Sequence, residues 1–280
     1  MPSTRELRRR IASTRSTRQI TKALEMVSSA KMRKATQATL AGRPYAERVL
    51  RAIRDIAGDG HGEITHPLFK VSSQVEKVLV IAISSSRGLA GGYDANVVKQ
   101  CLLINNASYI TIGSKVTTAL AGRKLDIIQS YPDLPDKPVS KDILPFAQFA
   151  LNEFSNGTYQ EVQLVYTRFY SMMRQEAHTI QLLPLIAPEA GSAPREFVCE
   201  PDPAAVLNHI LPRMIEALLY QSVLESRASE HSARRMAMKS ATDNANDMID
   251  DLTLTYNGLR QGAITQELAE ISGGAAALTN

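Results

Sequence analysis

The chain has 280 residues, of which 44% are hydrophobic and 21% are charged, and its formal net charge is +4. This composition allows a buried core, and the charge is too small to indicate nucleic-acid binding by itself. Aromatic residues make up only 5%, which favours helices packed on helices over a β-sandwich. No apolar run approaches the roughly 18 residues that suggest a membrane-spanning helix, so we expect no transmembrane segment.

The first predicted element is a long helix over residues 3–57. Ser3 is a suitable N-cap, and Glu6 follows it at the spacing of a capping box. Gly42 and Pro44 predict a bend in this helix. Its apolar residues recur three or four positions apart; they are Leu7, Ile11, Ile20, Leu24, Val27 and Ala30.

The apolar period changes after residue 75. A continuous apolar run over 77–84 predicts a strand covered on both faces. A glycine-rich turn follows over 88–93. The next predicted elements are a helix over 94–104, a strand over 109–112, a helix over 114–120, a strand over 125–129, a helix over 140–154, and two hairpin strands over 162–170 and 178–186. This alternation predicts a small α/β domain of the βαβ type.

The last third of the chain predicts a second long helix, over residues 203–278, with Pro212 predicting a kink rather than an end. Its apolar residues form one stripe; they are Leu207, Ile210, Met214, Leu218, Met238, Ala241, Ala245, Met248, Leu252 and Leu259. The first helix is basic near its start, and the last is acidic near its end. Such opposite charges favour an antiparallel coiled coil between the chain termini.

These elements define the predicted fold class as α/β: a long antiparallel coiled coil of the N- and C-terminal helices with an inserted small Rossmann-like domain. Residues 1–57 and 204–280 would form the coiled coil, and residues 75–190 the α/β domain. Residues 58–74 and 191–203 would be linkers.

The glycine-rich turn is the strongest candidate for a ligand site. A turn from strand into helix can bind phosphate at the helix N-terminus. However, Gly88, Gly91 and Gly92 match neither the dinucleotide-binding pattern nor the Walker pattern. We therefore favour a tight turn that needs positive φ angles.

No set of catalytic or metal-ligating residues stands out in the sequence. The five histidines are scattered, and no G-x-S-x-G motif occurs. Cys101 and Cys199 are far apart and form no C-x-x-C pair, which favours a reducing compartment. We expect no catalytic residues, no metal and no cofactor in this chain.

The end of the last helix has a different composition from its start. Small and polar residues dominate from Arg260 to Ile271, and Gly258 and Gly262 lower the helix propensity. This pattern fits either a fraying terminus or a slender shaft that lies inside another protein.

At these residues the chain resembles the γ subunit of bacterial F-type ATP synthases, the central stalk of F1. The resemblance rests on residues 11–34, 84–98, 236–244 and 264–278, in the same order along the whole chain. It implies a rotor shaft inside a hexamer of three α and three β subunits. Its α/β domain would contact the ε subunit and the membrane c-ring, and nucleotide chemistry would belong to the β subunits.

The resemblance also implies contact residues and a location. Residues matching the contact with the β catch loops are Arg260, Gln261, Thr265 and Glu267, and those matching the contact with the β levers are Leu24, Arg33 and Arg87. Some family members have Met where this chain has Leu24. The start of the chain continues as helix rather than as a transit peptide, which suggests a peripheral protein on the cytoplasmic side of a bacterial inner membrane.

An alternative from another class is a soluble nucleotide- or nucleic-acid-binding α/β module with coiled-coil arms. It would need a phosphate-binding turn or a clustered basic and aromatic surface. The sequence shows neither, so we expect no nucleic-acid partner.

Overall fold

The computed structural model describes residues 3–58, 67–69, 76–185, 200 and 203–278. The helices are α1 (Thr4–Gly58), α2 (Tyr93–Cys101), α3 (Ser114–Ala121), α4 (Ser140–Ser155) and α5 (Pro203–Leu278), with a short 3-10 helix at Pro67–Phe69. The strands are β1 (Val78–Ile83), β2 (Ala107–Ile112), β3 (Asp126–Tyr131), β4 (Glu161–Phe169) and β5 (Gln175–Leu183). The predicted order and type of these elements are confirmed, with boundaries that move by a few residues.

The strands form one sheet in the order β3-β2-β1-β4-β5. All neighbouring strands are parallel except β4 and β5, which form an antiparallel hairpin. The central strand β1 is buried on both faces, as its continuous apolar run predicted. Leu79 and Ile81 face a core shared with α4 and α5, whereas Val80 and Ala82 face a second core under α2 and α3.

The chain divides into two compact units. Residues 1–27 and 235–280 form the first unit, and residues 28–234 form the second. The helices α1 and α5 contribute residues to both units. The domain boundaries predicted from the sequence lie at the helix ends and differ from the boundaries of these two units, and they stay a prediction. Most residues of the two predicted linkers lie outside the described residues.

In the first unit, α1 and α5 pair in opposite directions. Arg18 Nη1 donates a hydrogen bond to Asn246 Oδ1 at 3.2 Å. Three residues further along α1, Thr242 Oγ1 donates to Thr21 Oγ1 at 2.8 Å. Because the partner number falls as the α1 number rises, the helices are antiparallel, which confirms the predicted pairing.

The predicted apolar stripes are only partly buried. Leu7 and Ile11 of α1 and Met238 and Ala245 of α5 are buried. Exposed instead are Ile20, Val27, Ala30 and Met248. Periodicity identified the helices correctly, but the burial of these four side chains within the chain was predicted wrongly.

In the second unit, α5 is buried on every face over residues 221–232. Polar side chains there bond to α1: Gln221 Nε2 donates to the Thr39 carbonyl at 3.1 Å, and Arg43 Nε donates to Glu225 Oε1 at 3.1 Å. Gly42 allows this close packing, because a Cβ at that position would overlap the Gln221 side chain. The helix α1 continues past Gly42 and Pro44 without interruption.

Candidate partner-binding surfaces

The C-terminal part of α5 is exposed on all sides over residues 260–272. Its apolar side chains Ile264, Leu268 and Ile271 are 47%, 62% and 70% exposed. A Cβ added at Gly262 would meet nothing within 4 Å. This segment is a well-formed helix whose apolar side chains are left uncovered by the described part of the chain.

The exposed apolar side chains lie on one face of the helix. At about 100° per residue, Ile264, Leu268 and Ile271 fall within a sector of roughly 60°. This sector is called the apolar stripe below. The opposite face carries small and polar residues. An apolar stripe on an otherwise polar helix is the usual form of a helix that packs against a partner.

The four contact residues predicted on α5 border the apolar stripe. By the same helical geometry, Arg260 and Glu267 lie on one side of it, and Gln261 and Thr265 on the other. All four are exposed. Thr265 Oγ1 donates to the Gln261 carbonyl at 2.9 Å. Within the described residues neither Arg260 nor Glu267 forms an ion pair, so both charges are available to a partner.

The other three predicted contact residues are divided between the two units. Leu24 is half-buried and belongs to the first unit, as do the four residues on α5. Arg33 and Arg87 are exposed and belong to the second unit. Arg87 opens the glycine-rich turn after β1, at the edge of the sheet where the parallel strands end.

The glycine-rich turn has the positive φ angles that its composition predicted. Gly91 has φ of 59°, and Leu89 has φ of 64°, which is uncommon for a residue with a side chain. Asp94, in the first turn of α2, accepts hydrogen bonds from the Ser85 backbone N–H at 3.0 Å and from its hydroxyl at 2.8 Å. A carboxylate therefore already occupies the region of the helix N-terminus where a phosphate would bind.

The turn also binds a side chain from α5. Arg234 donates hydrogen bonds to the carbonyls of Arg87 at 2.9 Å and Gly88 at 3.2 Å. In α/β sheets, ligands usually bind at this end of the strands, where the strand order reverses. Here that place is filled by the chain's own helix, which argues against the alternative of a nucleotide-binding module.

A buried ionic network extends this contact. Glu230 is 3% exposed and accepts hydrogen bonds from Arg227 at 2.9 Å and from Arg234 at 2.8 Å. Arg227 also donates to the carbonyl of Leu134 in the loop after β3. Asp133 lies in the same loop. A hydrogen bond from the Ser86 hydroxyl, together with the positive charge of the nearby Arg227, lowers the pKa of Asp133. We call Arg227, Glu230 and Arg234 the ionic network.

Sequence reasoning missed the ionic network. Arg227, Glu230 and Arg234 lie three and four residues apart, the spacing of an ordinary exposed salt-bridged helix face. Their burial depends on the sheet and the β3–α4 loop, so no local signal reveals it. His231 lies beside the network, and burial lowers its pKa to about 4.

The described residues form neither a metal site nor a membrane-spanning helix. No group of three or more His, Cys, Asp or Glu side chains in that part of the chain is arranged to hold a metal ion. Among the same residues, no helix is both long and apolar enough to cross a membrane.

The surfaces described above define the class of protein. The chain combines an antiparallel helix pair carrying an uncovered apolar stripe with an α/β domain whose usual ligand position is filled by its own helix. These are the features of a subunit that acts by binding other proteins.

The comparisons with known proteins give the family. The family model described as ATP synthase matches residues 3–278. The ATP synthase gamma chain of Pelotomaculum thermopropionicum is 44% identical over 285 residues, covering 99% of this chain and 100% of the relative. That of Stenotrophomonas maltophilia strain R551-3 is 42% identical over 288 residues, with the same coverage. The chain belongs to the ATP synthase gamma chain family.

Solved structures agree on the fold. A chain of the Euglena gracilis mitochondrial ATP synthase, in a structure of OSCP, F1 and c-ring, has a TM-score of 0.68 at 21% identity; the match covers 98% of this chain and 94% of that one. A chain of the Tetrahymena thermophila central stalk and c-ring has a TM-score of 0.61 at 21% identity, covering 79% and 99%. The family role is that of a central-stalk rotor subunit, which is non-catalytic because catalysis occurs on the β subunits.

Proposed function

We propose that this chain transmits rotation of a membrane c-ring to the catalytic β subunits of a bacterial, proton-translocating F-type ATP synthase. Residues 1–57 and 204–280 form the shaft, and residues 75–190 form the foot that contacts the ε subunit and the c-ring. The chain is peripheral, on the cytoplasmic side of the inner membrane. The bacterial relatives named above support this location.

The observation that carries this proposal is the apolar stripe at the end of α5. Its three apolar side chains are exposed in the isolated chain, and burial of one such side chain stabilises by about 1.5–3 kcal/mol. A surrounding ring of subunits covers such a helix from all sides. Small residues on the opposite face, such as Gly262 and Ala269, keep the shaft narrow enough to turn there.

The polar residues beside the stripe provide contacts that change with rotation. Arg260 can form a forked, charge-assisted contact with a carboxylate of a β catch loop. Such a hydrogen bond contributes about 1.5–3 kcal/mol, and about 1.4 kcal/mol changes an equilibrium tenfold. The contact forms in one rotary position and is lost in the next, so it shifts the conformation of each β subunit in turn. Gln261, Thr265 and Glu267 contribute to the same contact, and Leu24, Arg33 and Arg87 face the β levers.

The double substitution Arg260→Ala with Gln261→Ala tests this role. We expect a lower yield of assembled complex, slower ATP hydrolysis and weaker ATP-driven proton pumping in inverted vesicles. The matched control is Lys141→Ala with Asn152→Ala, because both residues are exposed on α4. If the α5 variant equals wild type in all three measurements, these residues have no part in coupling.

The isolated chain provides a second test. The described residues offer no phosphate-binding turn, since Asp94 and Arg234 fill the candidate region. We expect the purified chain to show no ATP hydrolysis in a coupled assay. Turnover that copurifies with the chain through two further columns would contradict the assignment of catalysis to the β subunits.

A further inference from the structure

The β4–β5 hairpin, which lies within the proposed foot, ends in an ordered turn to which the proposed function assigns no specific role. Residues 170–174, called the hairpin tip, connect the two strands. The backbone N–H groups of Tyr170 and Ser171 donate to the Arg174 carbonyl at 3.2 and 3.1 Å. Ser171 Oγ accepts from the N–H groups of Met173 and Arg174. Gln175 donates to the carbonyls of Ser171 at 2.9 Å and Met172 at 2.6 Å. The tip therefore has one defined shape.

This ordered turn presents apolar side chains to solvent. Met173 is 82% exposed, Met172 is 45% exposed and Tyr170 is 41% exposed. None of the turn hydrogen bonds given above uses the Met173 side chain, so a polar residue at position 173 would serve the turn equally well. Met, Tyr and Arg are enriched where proteins bind one another, and Met adapts its shape to a partner surface.

The charge around the tip is positive and held in place. The guanidinium carbons of Arg168 and Arg174 lie 5.3 and 4.9 Å from the centre of the Tyr170 ring. The Tyr170 hydroxyl lies 3.0 Å from His178 Nε2, which orients the ring. Glu176 pairs with Arg174 at 2.8 Å and stands opposite Arg168 in the strand register. Within the described residues Arg168 forms no ion pair, so its charge suits an acidic partner.

We propose that the hairpin tip inserts Met173 into an apolar pocket bordered by carboxylates on another protein subunit. Arg168 and Arg174 pair with those carboxylates at the rim. A lipid surface fits less well, because polybasic lipid-binding segments use about 4–8 Lys or Arg, and the tip together with the adjoining end of β4 has two, Arg168 and Arg174. The partner is a further subunit of the assembly named above, so this inference rests on the proposed function.

Site-specific photocrosslinking in the assembled complex tests the proposal. The photoreactive residue p-benzoylphenylalanine replaces Met173 in the full chain, and in a control it replaces Gln148, which is exposed on α4. We expect Met173 to crosslink to one subunit, at a peptide that contains Asp or Glu beside apolar residues. A yield at Met173 no higher than at Gln148, or a peptide without acidic residues, would overturn the proposal.

Charge reversal provides the second arm. Arg168→Glu with Arg174→Glu is expected to lower the crosslink yield at Met173 at least tenfold. The matched reversal is Lys137→Glu with Lys141→Glu, two exposed residues near the start of α4, and it should leave the yield unchanged. Equal yields after both reversals would show that the rim charges do not bind.

Three further outcomes separate the possible failures. The chain is also mixed with vesicles of phosphatidylglycerol and phosphatidylcholine, and we expect no sedimentation that depends on Met173. If the wild-type chain sediments with the vesicles and Met173→Ser does not, the tip binds a membrane and not a protein subunit, which would overturn the proposal.

If the wild-type chain does not enter an ATP synthase complex, the proposed function and this inference both fall. If it enters and Met173 does not crosslink, only this inference falls.

Discussion

Neutralising Glu230 tests whether the ionic network stabilises the second unit. Glu230 lies between two guanidinium groups, accepting from Arg227 at 2.9 Å and from Arg234 at 2.8 Å. Glu230→Gln keeps the shape of the side chain and removes the charge. Arg227, 9% exposed, and Arg234 would then be neighbouring cations without the carboxylate that they share.

The magnitude follows from burial. Removing one partner of a buried ion pair costs about 3–5 kcal/mol, because it leaves an uncompensated charge away from water. The contact of Arg227 with Asp133 at 3.5 Å and the hydrogen bonds from Arg234 to the Arg87 and Gly88 carbonyls remain and offset part of that loss. We therefore expect Glu230→Gln to lower the free energy of unfolding by about 3 kcal/mol.

Urea unfolding of the purified chain measures this change in the free energy of unfolding. The unfolding is monitored by the near-ultraviolet circular dichroism of buried tyrosines such as Tyr93 and Tyr109. The control is Glu6→Gln, which breaks an exposed pair with Arg10 at 2.7 Å and the same four-residue spacing. An exposed pair of this kind contributes less than about 1 kcal/mol. Equal losses for the two variants would refute the argument that burial gives the network its strength.

Three further substitutions have expected outcomes. Gly113 has φ of +101°, and an added Cβ would lie 2.5 Å from the Ser84 carbonyl oxygen, so Gly113→Ala should cost at least about 2 kcal/mol in urea unfolding. At Gly262 an added Cβ meets nothing within 4 Å, so Gly262→Ala should instead stabilise the helix by about 0.5–1 kcal/mol; a similar loss in both variants would contradict the steric argument. For His231, burial lowers the folded-state pKa from 6.5 to about 4, so the unfolded chain takes up the proton first. The free energy of unfolding should therefore fall by up to about 3 kcal/mol between pH 6.5 and pH 4, and His231→Gln should remove that part of the acid sensitivity; the same pH dependence in both proteins would contradict it.

The sequence predicted those parts of the fold that depend on local pattern. The apolar run of β1 and the repeats of α1 and α5 identified each element, because a strand covered on both faces needs a continuous apolar run and a helix packed on one face needs an apolar repeat. The glycine-rich turn was also predicted as a turn with positive φ, and Gly91 confirms it.

The sequence could not predict what depends on distant partners. Glu230 and His231 resemble exposed helix residues by their spacing, and only the sheet and the β3–α4 loop bury them. The reverse holds for Ile20 and Met248, whose apolar character suggested burial although they are 59% and 53% exposed. The apolar stripe beside Arg260 was likewise not identified from the sequence, because the small and polar composition of residues 260–271 also fits a fraying helix end.

The all-round burial of α5 over residues 221–232 has a mechanical consequence. Apolar contacts have little directional preference, so a helix held by them alone can rotate slightly about its axis at small cost. Hydrogen bonds weaken steeply when misaligned, and here they leave α5 on several faces, through Gln221 to α1, Ser229 to β4 and Arg227 to the β3–α4 loop. A turn of the helix in either direction strains all of them together. Within the second unit, α5 therefore has a single angular setting, and a twisting force on this segment passes to the sheet instead of being absorbed by slippage.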